Sequence, residues 1–301
     1  MKRKYSTNNK RPFGTEKHSQ ALEKDLVLQL LNHVENILLN GTELILERVF
    51  NKVGFNQIED NIFRKLVQSR LSYPSSKSAT VEYLKNHFDE DINLSKIYRY
   101  LDKLNHTQQD KIQNISVVHT QRLLGGQIGV LFYDVTTLYF ETDKEDELRK
   151  TGFSKEGRHS NPQIILGLLV SADGLKGYLT NTELSVEQIH TAYHNLWNIE
   201  MAFRISKSKI EIRPIFHFTR KRIEAHICIC FVALKVYKEL ERILKQTSIN
   251  MSVDKVLNMA RTITTIQIKM PLNNQILSKT MIMKRHKRIE SLFDERFWGT
   301  H

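Results

Sequence analysis

The apolar residues of this chain change their period at Gly125-Gly126, and that change bounds what it can fold into. Upstream, Leu22, Leu26, Val27, Leu30, Leu31, Val34 and Leu38 recur at helical spacing, with Asn40-Gly41 as a stop signal. Thr42 is placed to cap the next helix, whose apolar face is Leu44, Ile45, Val49 and Phe50 and whose end is Gly54. Gln57 to Leu71 repeats the pattern. After the breaker Tyr73-Pro74-Ser75-Ser76, a helix from about Ser78 to Phe88, an acidic turn Asp89-Glu90-Asp91 and a helix from about Leu94 to Leu104 form a helix-turn-helix-like pair. Its second helix would offer Lys96, Arg99 and Lys103 to DNA, although any helical hairpin has the same outline. Residues 16–122 therefore read as a helical bundle.

Downstream of the glycines, IGVLFYDVTTLYF and QIILGLLV (Gln163 to Val170) are rich in β-branched and aromatic residues and have strand length. The polar connection Glu141 to Asn161 separates them, Ser171-Ala172-Asp173-Gly174 reads as a turn, and Leu175 to Thr180 as one more short strand. Helices then resume to the end. The class is α/β, with Asp134 expected where the apolar run Ile128 to Phe132 meets solvent.

Charge is distributed unevenly. The net charge is +12, and residues 201–301 alone hold 20 Lys/Arg against 8 Asp/Glu, so the last third carries the whole surplus. Five further cations, Lys2, Arg3, Lys4, Lys10 and Arg11, fall in the first 11 residues, which read as a basic flexible arm over 1–15. Basic ends around an acidic middle fit a polyanionic partner such as double-stranded DNA, and a solvated basic surface has the same composition. The closing cluster KRHKRIESLF reads as a solvated helix face within a basic helical tail over 246–301. No apolar run reaches membrane-spanning length and MKRKYSTNNKRPF lacks a signal-peptide core, so a cytoplasmic, nucleoid-associated protein is expected. Cys228 and Cys230 are two apart in a helical stretch and read as buried thiols.

The residues that could carry chemistry lie around Glu200. Ser185-Val186-Glu187-Gln188 has the form of a capping box, with Leu184 and Ile189 as its staple, so a helix is expected to start there. Tyr193, Leu196, Glu200, Arg204 and Lys207 then share one face, and Ile189, Ala192, Trp197, Ile199 and Phe203 supply apolar surface. Packed on the Asp134 strand, such a helix could bring Asp134 and Glu200 to one Mg²⁺ or Mn²⁺ cluster, with Tyr193, Arg204 and Lys207 holding a DNA backbone. Plainer roles exist for each: a Glu200–Arg204 helical ion pair, a turn capped by Asp134 with Thr136 and Thr137, and a core position for Tyr193.

FYDVTTLYFE, LRKTGFSKEGRHSNPQIILGLLV and YHNLWNIEMAFRISKSKIEIRPIFHFTRKRIEAHICICFVAL closely resemble bacterial insertion-sequence DDE transposases of the insertion-sequence-four type. GFNQIEDNIFRKLVQSRLSYPSSKSAT and IYRYLDKL extend the resemblance over nearly all the chain. It implies a ribonuclease-H-like catalytic core over 123–245, with 16–122 as a helical DNA-binding or assembly domain. It further implies cut-and-paste DNA transposition at inverted terminal repeats, then joining to target DNA. Asp134 matches the family's first catalytic aspartate. Tyr193, Glu200 and Lys207 match its glutamate signature, in which Leu196 stands at the arginine position and Arg204 is the nearest substitute. Asp134 and Glu200 would be the catalytic metal ligands, with Tyr193, Arg204 and Lys207 on DNA.

The departure lies between them. Here SADG runs straight into LKGYLTNTELS, where the family has a helix, the strand bearing its second aspartate and an inserted region. Asp173, the only acid between Gln163 and Glu183, reads as a hairpin-turn residue, with a strained use as the displaced second aspartate as the alternative. The expectation is a truncated core in a catalytically defective copy, able to bind DNA, itself or an intact transposase. A DNA-binding regulator or a trans-inhibitor is the alternative.

Overall fold

The computed structural model describes residues 24–25, 27–29, 31–126, 131–140, 142, 144–152, 157, 159–171, 196–270 and 273–299. The side chains of 131–135, 167–171, 196–198 and Gly299 are outside that description. The expected helix start at Ser185, the turn at Asp173 and the strand Leu175 to Thr180 also lie outside the described residues.

The chain is mixed α/β and mostly helical. A first strand, β1 (Val34–Leu38), precedes helices α1 (Gly41–Val53), α2 (Asn61–Ser72), α3 (Lys77–Phe88), α4 (Leu94–Thr107) and α5 (Gln109–Leu123). Strands β2 (Leu131–Tyr139) and β3 (Gln163–Ser171) follow, then α6 (Leu196–Ser208), α7 (Arg220–Gln246) and α8 (Val253–Ala260). The hairpin β4 (Thr264–Lys269) and β5 (Ile276–Met281), a 3₁₀ helix (Lys284–Phe293) and the short α9 (Glu295–Gly299) close the chain.

Local chemistry sets the helix bounds. Ser76 Oγ accepts from Ala79 N at 3.2 Å to start α3, and Asn93 Oδ1 accepts from Lys96 N at 2.8 Å to start α4. The expected helical hairpin is thus present, with its acidic turn closed by Asp89 in the left-handed region at φ 55°. Gly54 ends α1 at φ 102°, a conformation that costs glycine little. The Gln57–Leu71 stretch begins on the last residue of a 3₁₀ turn (Phe55–Gln57) and continues as α2, which Asp60 caps by accepting from Ile62 N at 3.3 Å.

The organising element is α7. Its 27 residues contact α1, α2, α4, α5, α6 and α8, and Ile223, Ile229, Val232, Val236 and Leu240 are all buried within that ring. A helix apolar on most sides must be surrounded, and this one is. Arg222 at its start donates to Asp102 of α4 from Nε and Nη2 at 2.9 and 3.0 Å, a bidentate clamp that fixes its register against the bundle.

Four expectations are corrected. Val34–Leu38 is a strand, not the continuation of a helix, because it pairs antiparallel with β4 in a β1-β4-β5 sheet. Thr42 does not cap α1: its Oγ1 donates to Leu257 O at 3.3 Å, while Asn40 occupies the N-cap position. The basic tail is not wholly helical, since the alternating β-branched run Thr264–Lys269 forms the β4–β5 hairpin, with Asn274 at φ 56° between its strands. Lastly, Asp134 does not end its strand. The β-branched and aromatic residues after it, Val135 to Tyr139, continue the antiparallel ladder, so Asp134 pairs with Leu168 and the last pair is Tyr139 with Gln163.

Candidate functional site

The β2–β3 ladder buries one face: Leu138, Phe140 and Ile164 enter the core, whereas Ile165 is 73% exposed. Helix α6 packs against β2 and α7, burying Ile199, Ala202, Phe203 and Ile205. Burial at positions 199, 202, 203 and 206 follows the helical period and turns the opposite side outward. Glu200 and Arg204 are exposed there, and Lys207 is half-buried. After α6 the chain returns to the sheet, where Ile215 forms a parallel bridge with Phe140.

Strand β2, which carries Asp134, and helix α6, which carries Glu200, are therefore neighbours. The apolar role expected for Ile199 and Phe203 is observed. Glu200 and Arg204 make no ion pair with each other, so the plainer reading of that pair does not apply. Tyr193 and the side chain of Asp134 lie outside the described residues. Among the described residues no three His, Cys, Asp or Glu side chains gather as a group that could hold a metal ion.

The basic elements are partly engaged. Of the α4 cations, Lys96 and Arg99 are exposed, while Lys103 Nζ meets Asp60 Oδ2 at 2.7 Å. In the closing 3₁₀ helix, His286, Ile289 and Leu292 are buried at a spacing of three, the period of that helix. Lys284, Arg285, Lys287 and Arg288 are exposed, as expected of a solvated basic face. His286 holds the helix in place: its Nδ1 accepts from Met283 N at 3.1 Å and its Nε2 lies 2.9 Å from Thr262 Oγ1. Cys228 and Cys230 are free and buried, and burial pushes the Cys228 thiol up to about 12.

Sequence reading missed a buried group of basic side chains, Arg70, Lys77, His217 and His226. Nothing in the local pattern marks these residues, because their burial comes from α7 and from the connection that precedes it.

Comparison with protein-family models, with curated proteins and with solved structures found no match to this chain. Among the described residues no helix is long and apolar enough to cross a membrane.

Proposed function

We propose that this chain is a shortened member of the insertion-sequence transposase group, one that binds double-stranded DNA and has lost strand cleavage. One observation carries the reading: α6, bearing Glu200, packs on β2, bearing Asp134, the two positions that match the family's carboxylates. In this reading β2, β3 and α6 are the remnant of a ribonuclease-H-like core. Exposed Ile165, Phe216 (64%) and Phe218 (70%) beside that remnant are in keeping with the loss of a segment that would have covered them.

Two carboxylates are a thin ligand set for divalent metal. Mg²⁺ or Mn²⁺ supplies charge neutralisation for phosphoryl transfer, and a two-ion site needs acids enough to bridge both ions. The family's second aspartate has no counterpart in this sequence, and no catalytic step is assigned to this chain. Its own residues serve DNA instead: Arg204 is exposed one turn from Glu200, and Lys207 lies a further turn along the same face.

The test uses the purified 301-residue chain and duplex DNA carrying the element's ends. Binding at about 50 mM salt that weakens steeply by about 200 mM, without cleavage in Mg²⁺ or Mn²⁺, is the expected result. No binding at low salt removes the DNA reading. Metal-dependent cleavage abolished by Asp134→Ala and Glu200→Ala would show instead that the shortened core remains active.

A non-catalytic regulator that acts through α4 is the second reading, favoured by Lys96 and Arg99, exposed and without an ion pair among the described residues. It requires that Lys96→Glu with Arg99→Glu abolish binding while Glu200→Ala leaves it unchanged.

A further inference from the structure

Arg70 near the end of α2, Lys77 at the start of α3, His217 in the connection before α7 and His226 within α7 form one buried group. Their exposures are 8%, 7%, 8% and 3%. Packing of α2 on α3 and on α7 assembles the group, and the two imidazoles have ring centroids 5.3 Å apart. Among the described residues, neither Arg70 nor Lys77 has a hydrogen bond or an ion pair. Two basic side chains are thus largely buried beside one another with no carboxylate partner among the described residues, an arrangement that a bound anion would stabilise.

The imidazoles sharpen the chemistry. His226 Nε2 lies 3.0 Å from Ile212 O, so that nitrogen carries the proton and donates, leaving Nδ1 as a lone-pair acceptor. Nδ1 is buried and has no partner among the described residues. The group therefore combines strong cationic donors with one unsatisfied acceptor. Chloride and sulfate have no proton to give such an acceptor near neutral pH, whereas hydrogen phosphate does.

We propose that this group is a binding site for hydrogen phosphate, in which Arg70 and Lys77 donate to its charged oxygens and His226 Nδ1 accepts from its hydroxyl. The Arg70 guanidinium can span two oxygens in a planar fork, and the Lys77 ammonium supplies a point charge. The site is independent of any DNA-processing activity.

Proton linkage gives the site a signature. Burial, and then the neighbouring Arg70, bring Lys77 from 10.5 down to about 7, with Cys230 acting weakly in the opposite sense. Burial, then Lys77, Arg70 and Arg222, hold His217 down to about 4, and burial, then Lys77, Arg70 and His217, hold His226 well below its ordinary value. Between pH 7 and 10.5 the anion-free protein increasingly holds Lys77 neutral, so a dianion must bring a proton with it. Affinity falls as pH rises through the upper part of that window, above about pH 8.5, where phosphate is already almost wholly the dianion and its own charge hardly changes.

The experiment is titration calorimetry of the full chain with inorganic phosphate at about pH 7.5, at matched ionic strength in two buffers of different ionisation enthalpy. Saturable binding with fractional proton uptake is expected, about tenfold or more weaker for sulfate, and weakened as much for phosphate by Lys77→Met or Arg70→Gln. Equal binding of glycerol 3-phosphate would identify a phosphate ester as the natural source, and binding of inorganic phosphate alone the free ion; either supports the site. The proposal is overturned by no saturable binding above matched chloride, by equal sulfate affinity, or by undiminished binding in Lys77→Met. Should Lys77→Met fail to fold, absence of proton uptake by the unsubstituted chain overturns it.

Discussion

Gly41 N donates to Ile263 O at 3.2 Å, and this contact leaves no space between the first turn of α1 and the end of α8. A Cβ on Gly41 would overlap both Ala260 O and the Ile263 side chain, and two of those atoms belong to backbone or to a β-branched stem that cannot swing away. Gly41→Ala is expected to lower stability by about 1–3 kcal/mol, measured as a shift in the urea midpoint at unchanged m-value. An unshifted midpoint would mean that α1 and α8 are not held this closely.

Glu239, on α7 and buried, accepts from Arg242 Nε at 2.8 Å and from Nη2 at 2.7 Å, with His119 Nε2 3.7 Å away on α5. Burial alone would raise its pKa, but the hydrogen bonds from Arg242, helped by the nearby His119, outweigh burial and hold it at about 2, below the ordinary 4.5. A depressed carboxyl contributes stability that is fully present above pH 4.5 and is lost as pH falls toward 2. Glu239→Gln should therefore cost about 2–3 kcal/mol near neutral pH and progressively less through that acid window. Chemical denaturation of both proteins at pH 7 and pH 3 checks it, and a pH-independent difference would assign the effect to packing instead.

The elements that could be read in advance are those whose signals are local. The α3–α4 pair is bounded by its own caps, Ser76 and Asn93, and by Asp89 in the turn between them. Strands β2 and β3 are set by their β-branched content, and the helical placement of Glu200 by the period around Ile199 and Phe203. Elements decided by distant partners were misread. Val34–Leu38 has apolar spacing that suits either helix or strand, and only pairing with β4 decides between them. Asp134 looked like a strand terminus because the ladder beyond it depends on Gln163 to Gly167. Arg70 and Lys77 resemble surface cations until the packing of α2 on α3 and on α7 buries them. The relation of Asp134 to Glu200 was legible only as far as their elements: strand and helix meet, while Tyr193 falls outside the described residues.

The closing 3₁₀ helix offers a direct test of where DNA is held, because its two roles are borne by different residues. His286, Ile289 and Leu292 anchor it, whereas Lys287 and Arg288 point to solvent with no ion pair among the described residues. Removing the second pair should leave the fold intact, since among the described residues no hydrogen bond is made by either side chain. If both contact phosphates, Lys287→Ala with Arg288→Ala releases about two fewer counterions on binding, and the slope of log affinity against log salt should become shallower by about 1.8. Affinity at low salt should fall to a similar degree on unrelated duplex sequences, as expected of backbone contacts that carry no base information. Melting temperature within about 1 °C of the parent would show that the fold is unchanged. A slope that does not move would place the bound DNA elsewhere, with α4 and its exposed Lys96 and Arg99 as the next surface to test.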